Sequence, residues 1–154
     1  MYDRPIAELL DPKKVLVEHA ATRVLEAAKL MARRKVSAVL VVEDGKLVGI
    51  FTERDAVHRV IAKRRDPRLT TLAEVMTRNP RTVSPDETFG YAMLLMHEHG
   101  FRHLPVVQGP APIGIISARK ALDPDLEEFV SEAQRRASIQ RFARGRGRDP
   151  QMSS

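Results

Sequence analysis

The chain contains an internal repeat, and that repeat constrains the fold more than any other feature. Slid by 65 residues, Thr22–Val57 lies over Glu87–Leu122 without a gap. Ala27 meets Ala92, Leu30 and Met31 meet Leu95 and Met96, and Val41 and Val42 meet Val106 and Val107. Gly49 and Ile50 meet Gly114 and Ile115, Thr52 meets Ser117, and Ala56 meets Ala121. A weaker match joins Ile6–Leu10 to Leu72–Met76 at a shift of 66. The identities fall at core spacing and at one glycine, which is the pattern of one supersecondary unit made twice.

Each copy predicts the same elements. Val24, Ala27, Ala28 and Met31 recur at helical spacing, as do Phe89, Ala92, Met93 and Met96. Ala38–Val42 is too short and too β-branched to favour helix and reads as a buried strand. Asp44-Gly45 supplies a hairpin turn, Leu47–Phe51 returns, and Thr52 caps a second helix running to about Ala62. In the second copy the turn, Gln108–Pro112, reads as longer and stiffer. A unit of this size rarely stands alone, so the two are expected to pack through their sheets. The expected organisation is repeat one over 5–62, a polar linker over 63–70 and repeat two over 71–122. A C-terminal helix over 123–143 and a disordered basic tail over 144–154 follow.

Composition narrows the class. Apolar residues make up 43%, but aromatics only 5% with no Trp, so the core must be aliphatic. The net charge of +6 sits almost wholly in residues 133–154, where Arg135, Arg136, Arg141, Arg144, Arg146 and Arg148 oppose Asp149. The globular part is near neutral, so the basic balance does not by itself indicate nucleic-acid binding. No apolar run approaches the ~20 residues of a membrane span, and Met1–Pro5 lacks the hydrophobic stretch of a leader. With no Cys, these features lead us to expect a cytoplasmic protein without membrane association. There is no Walker loop, Gly-rich dinucleotide turn or nucleophile elbow. His97 and His99, at i and i+2 on a helix, point apart and cannot chelate one metal. The chain is read as non-enzymatic.

The residues with chemistry to offer lie where strand meets helix. A strand-end glycine permits close approach of backbone or ligand. Thr52 and the amides after it favour an anion, and Asp55 offers two acceptors to a ribose diol. The alternative is that Thr52 only caps the helix and Asp55 only complements its dipole.

Gly49-Ile50-Phe51-Thr52-Glu53-Arg54-Asp55 resembles the nucleotide signature of CBS (cystathionine β-synthase) domains, and Phe101–Val107 resembles that family's second strand. The resemblance covers about residues 5–124. It implies an α/β fold of two tandem β-α-β-β-α repeats in pseudo-two-fold array, a homodimer, and two clefts between the repeats. Site one would join Ile50, Thr52 and Asp55 to Thr77, Pro80, Thr82, Phe101, Arg102 and His103. The second cleft would join Ile115 and Ser117 to Val17, Lys35, Val36, Ser37 and Ala38. It departs from the pattern, with Lys120 where Asp is expected. An ammonium cannot accept hydrogen bonds, so that cleft is weak, empty or, with Arg119 and Lys35, suited to a more phosphate-rich ligand.

The implied ligand is AMP, ADP or ATP, with NAD or S-adenosylmethionine as alternatives and no obligatory cofactor. The implied role is a regulatory module read by a protein partner. Two rivals stand beside it: a dimerisation module with vestigial sites, and nucleic-acid binding through the arginine-rich tail, which lacks a stacking platform.

Overall fold

A computed structural model describes residues 2–118. The helix expected over 123–143, the basic tail, Arg119 and Lys120 lie outside the described residues.

Repeat one begins with 3-10 turns at Ile6–Leu9 and Pro12–Lys14. It continues through β1 (Val17–His19), α1 (Val24–Arg34), β2 (Ala38–Glu43) and β3 (Lys46–Thr52). It ends in α2 (Glu53–Asp55), which runs on as a π-helical stretch over Ala56–Ile61. Repeat two comprises α3 (Leu72–Val75), β4 (Thr77–Arg78), α4 (Phe89–His99), β5 (His103–Gln108) and β6 (Ala111–Ser117). β1 lies parallel to β2, and β2–β3 and β3–β4 are antiparallel, in the order β1-β2-β3-β4. β5 and β6 form the second hairpin, flanked by a parallel bridge between Val83 and Val106. This is the α/β tandem-repeat architecture the sequence predicts.

The first hairpin turns on Asp44 and Gly45, both at positive φ (51° and 73°), the conformation a two-residue hairpin loop requires. The second departs from expectation. Gln108 pairs with Ala111 just as Glu43 pairs with Lys46, so the loop is equally short. Pro112 is no turn residue but lies within β6, opposite Val107. A register shift occurs at Val41/Val42 and again at Val106/Val107, so both hairpins bulge at the same place.

The repeats interlock by exchanging their leading segments. Pro5 bridges to Thr88, and the Ile6 N–H donates to the Glu87 carbonyl at 2.9 Å. In the mirror arrangement Thr71 bridges to Arg23, and the Leu72 N–H donates to the Thr22 carbonyl at 2.9 Å. The glycine common to both repeats follows from this exchange. A Cβ on Gly49 would press into Met76 and stand 2.9 Å from the Thr77 carbonyl oxygen; one on Gly114 would stand 2.7 Å from Leu10 Cδ2. Thr71 opens α3 as the capping-box spacing predicts, with the Glu74 carboxylate accepting from the Thr71 N–H at 2.7 Å.

One core forms beneath α1, where Val24, Ala27 and Met31 pack on Val39, Val41 and Phe51, with Leu72, Val75 and Met76 contributed by repeat two. A second cluster, Ala38, Leu40, Ile50 and Ile115, joins the two hairpins.

Candidate functional site

β3 delivers its last residue, Thr52, to the start of α2, and the two side chains of the signature close on one another. The Thr52 N–H donates to Asp55 Oδ2 at 2.9 Å, and the Thr52 hydroxyl donates to the same oxygen at 3.2 Å. The Asp55 N–H donates back to Thr52 Oγ at 3.3 Å. Asp55 is 9% exposed, the one buried charged residue among the described residues. Burial of a carboxylate is costly unless it is paired and hydrogen-bonded, and here it is both. Arg59, one turn on, brings Nε within 3.5 Å of Oδ1. Its Nη1 donates to the Met76 carbonyl at 2.9 Å and the Val75 carbonyl at 3.3 Å. Sequence reading passed over Arg59. The signal was the i, i+4 spacing of an acid and a base on one helical face.

The remaining residues expected at site one fall in three places. Thr77 pairs directly with Ile50 across β3 and β4, beside the Thr52–Asp55 turn. Pro80 is half-buried, just past β4. His103, Arg102 and Phe101 form the entry to β5, where Arg102 is exposed and His103 half-buried. Phe101 leans back on His99, with ring centroids 5.3 Å apart and nearly parallel. Thr82 lies toward the other end of β5. It lines a cavity of about 460 Å³ with Ser84, Glu87, Val107 and Gln108, at the hairpin end of the sheet. That cavity is remote from the Thr52 end.

His103 and Ser37 meet. Ser37 Oγ and His103 Nε2 are 2.9 Å apart, a hydrogen bond between residues expected to serve different clefts. Ser37 also accepts the Glu53 N–H on its carbonyl at 3.0 Å, so Ser37 touches both the start of α2 and repeat two. Burial pushes the His103 imidazole below its ordinary pKa, and the Arg102 charge adds to the effect.

In the second cleft, His103 pairs with Ser117 as Ala38 pairs with Thr52. Ala38 and Ile115 are buried, and Val36 and Ser37 half-buried. Val17 is exposed on β1 opposite Leu40. Lys35 is exposed and left-handed (φ 56°), ending α1 at the position where Gly100 (φ 70°) ends α4. Among the described residues no helix is long and apolar enough to cross a membrane.

Comparison with known proteins identifies the family. The CBS domain family model matches twice, over residues 6–62 and 72–124. A CBS domain-containing protein of Arabidopsis thaliana is 35% identical over 127 residues, covering 82% of this chain and 24% of its own length. The protein YhcV of Bacillus subtilis, also CBS domain-containing, is 38% identical over 92 residues, 60% of this chain and 65% of its own. The chain thus spans about a quarter or less of the first curated relatives it matches.

Among solved structures, a protein with CBS domains from Burkholderia ambifaria is 33% identical with a TM-score of 0.73, over 80% of this chain and 95% of that one. The CBS domain pair of protein MJ0100, solved with 5-methylthioadenosine and S-adenosyl-L-methionine, is 27% identical with a TM-score of 0.68, over 76% and 95%. The repeat, the interlocked hairpins and the Thr52–Asp55 turn therefore have one account: the chain belongs to the CBS domain family and carries two copies of the domain in tandem.

Proposed function

We propose that this chain is a non-catalytic sensor that binds one adenine nucleotide per chain at the Thr52–Asp55 turn. The observation that carries the reading is the buried carboxylate of Asp55, held just past the end of the strand in which Ile50 pairs with Thr77 of the opposite repeat. A ribose diol needs acceptors, and a carboxylate supplies them. Thr52 and the first amides of α2 offer donors to a phosphate. Ile50 and Thr77, adjacent across the sheet, form a wall that a base can lie against. Arg102, exposed near His103, supplies a further positive charge. AMP, ADP or ATP fits this set. The ligands of MJ0100, a pair with the same fold, support an adenosine moiety in general and keep S-adenosylmethionine as an alternative; NAD, which also carries an adenosine, is the other.

The regulatory part follows from the site's composition. Ile50, Thr52 and Asp55 come from repeat one and Thr77 from repeat two, so a ligand bound there bridges the repeats. It biases their arrangement only if it binds one arrangement better than another, and the output is then read by a protein partner. The second cleft, with Lys120 at the position of Asp55, holds no second equivalent adenosine ligand.

Titration calorimetry with AMP, ADP and ATP tests this reading. Stoichiometry near one per chain is expected, and Asp55→Ala should weaken binding by about 1–3 kcal/mol, as loss of hydrogen bonds to a charged group does. Two equivalent sites, or unchanged affinity in the Asp55 variant, would overturn it.

A further inference from the structure

We infer that Arg59 is a latch on the Asp55 carboxylate, which a ribose diol must displace to bind. The inference rests on the reading of Thr52–Asp55 as the ribose site and adds a residue and a mechanism to it.

A carboxylate has about four acceptor positions, and those of Asp55 are largely engaged. Oδ2 already accepts from both the Thr52 N–H and the Thr52 hydroxyl. Oδ1 faces the Arg59 guanidinium at 3.5 Å. A diol donates two hydrogen bonds, and the oxygen with room for both is the one Arg59 covers. Arg59 has a second task that makes this contact more than a local ion pair. Its Nη1 donates to the carbonyls of Val75 and Met76, the end of α3, where a helix leaves carbonyls unpaired. One guanidinium therefore ties the ribose-binding carboxylate of repeat one to the exchanged leading segment of repeat two. Releasing Oδ1 frees or re-aims the same group that holds Met76, whose side chain packs against Gly49 and whose neighbour Thr77 pairs with Ile50.

The second repeat supplies an internal control in the sequence. At the shift of 65, Lys120 stands in place of Asp55 and Pro124 in place of Arg59. Proline has no donor to offer. The acid and its guanidinium partner are thus both absent from that copy, as expected if they function as a pair.

The test uses the intact protein with adenosine as the neutral probe and AMP as the charged one. Arg59→Met removes the latch and keeps the stem's packing. It should tighten adenosine by about twofold to fivefold, the scale of a partly exposed ion pair, while lowering the melting temperature without ligand, because Val75 and Met76 lose a donor. Arg59→Lys, which keeps the charge but not the fork, should fall between. In the wild type, adenosine should shift the Arg59 Nε–H resonance and raise amide exchange around Met76, neither of which depends on a variant folding. Adenosine binding that is unchanged or weaker in Arg59→Met, with Asp55→Ala still defective, overturns the latch and leaves the ribose site standing. If neither Asp55→Ala nor Arg59→Met alters binding, the ribose site itself is wrong and the latch fails with it.

Discussion

His103 spans the two repeats as a single side chain, hydrogen-bonded to Ser37 and depressed in pKa by burial and by Arg102. Its folded pKa lies below the ordinary 6.5, so between the two values the unfolded chain binds more protons. Stability therefore rises with pH there: the contribution is complete above 6.5 and is lost as pH falls through the lower, folded value. Thermal unfolding of wild type and His103→Gln from pH 8 to pH 5 should show an acid decline in the wild type that is shallower in the variant. Parallel curves would remove His103 as the cause.

At this scale the sequence was legible where a motif carried it. Thr52 and Asp55 could be read from one heptapeptide because strand end, cap and acid are contiguous. The Ser37–His103 and Arg59–Met76 contacts could not, since each partner comes from a different repeat and no local spacing announces it. The sequence also left open whether Thr52 and Asp55 cap a helix or hold a ligand. The bonds between them are those of a cap, and it is the burial of the carboxylate that favours the ligand reading.

The hairpins are the elements most constrained by contact. Both copies keep a glycine at the bulge, yet the two are under different pressure. At Gly49 a methyl group would meet the Thr77 carbonyl, which is backbone of a paired strand; at Gly114 it would meet the end of a leucine side chain, which can rotate. Gly49→Ala is expected to cost about 1–3 kcal/mol, as overpacking does, and Gly114→Ala clearly less. Urea unfolding of both variants measures the difference, and equal costs would show that the Thr77 backbone yields as easily as Leu10. Element type and order were legible because apolar periodicity survives in both repeats. The second turn was misread because Pro110 and Pro112 look like loop residues, whereas Val107 accommodates Pro112 in the strand. The conversion of α2 into a π-helical stretch after Asp55 leaves no signature in the apolar pattern that predicted a plain helix to Ala62.

For the whole molecule, the outward faces of α1 and α4 differ although the repeats align without a gap. Where α1 carries Glu26 and Lys29, α4 carries Tyr91 and Leu94, 42% and 53% exposed. Val57 and Ile61 after α2 are exposed as well, at 52% and 70%. Apolar surface of this kind favours a two-fold partner, and we expect light scattering to give about twice the 17.3 kDa chain mass at micromolar concentration. Leu94→Glu should shift the protein toward monomer with its thermal unfolding little changed. A monomeric wild type would show that these faces serve another purpose.

The exchange of leading segments also sets an order of events during synthesis. Leu72 can dock on Thr22 almost as soon as it is made, because repeat one is already there to receive it. Ile6 has its hydrogen-bonding partner at Glu87, and so must stay undocked until that part of the second repeat has left the ribosome. Contacts so distant in sequence slow folding and leave apolar surface open in the meantime. The nascent chain therefore passes through a stage in which its first repeat is nearly complete while the segment around Ile6, still unplaced, waits to finish the second.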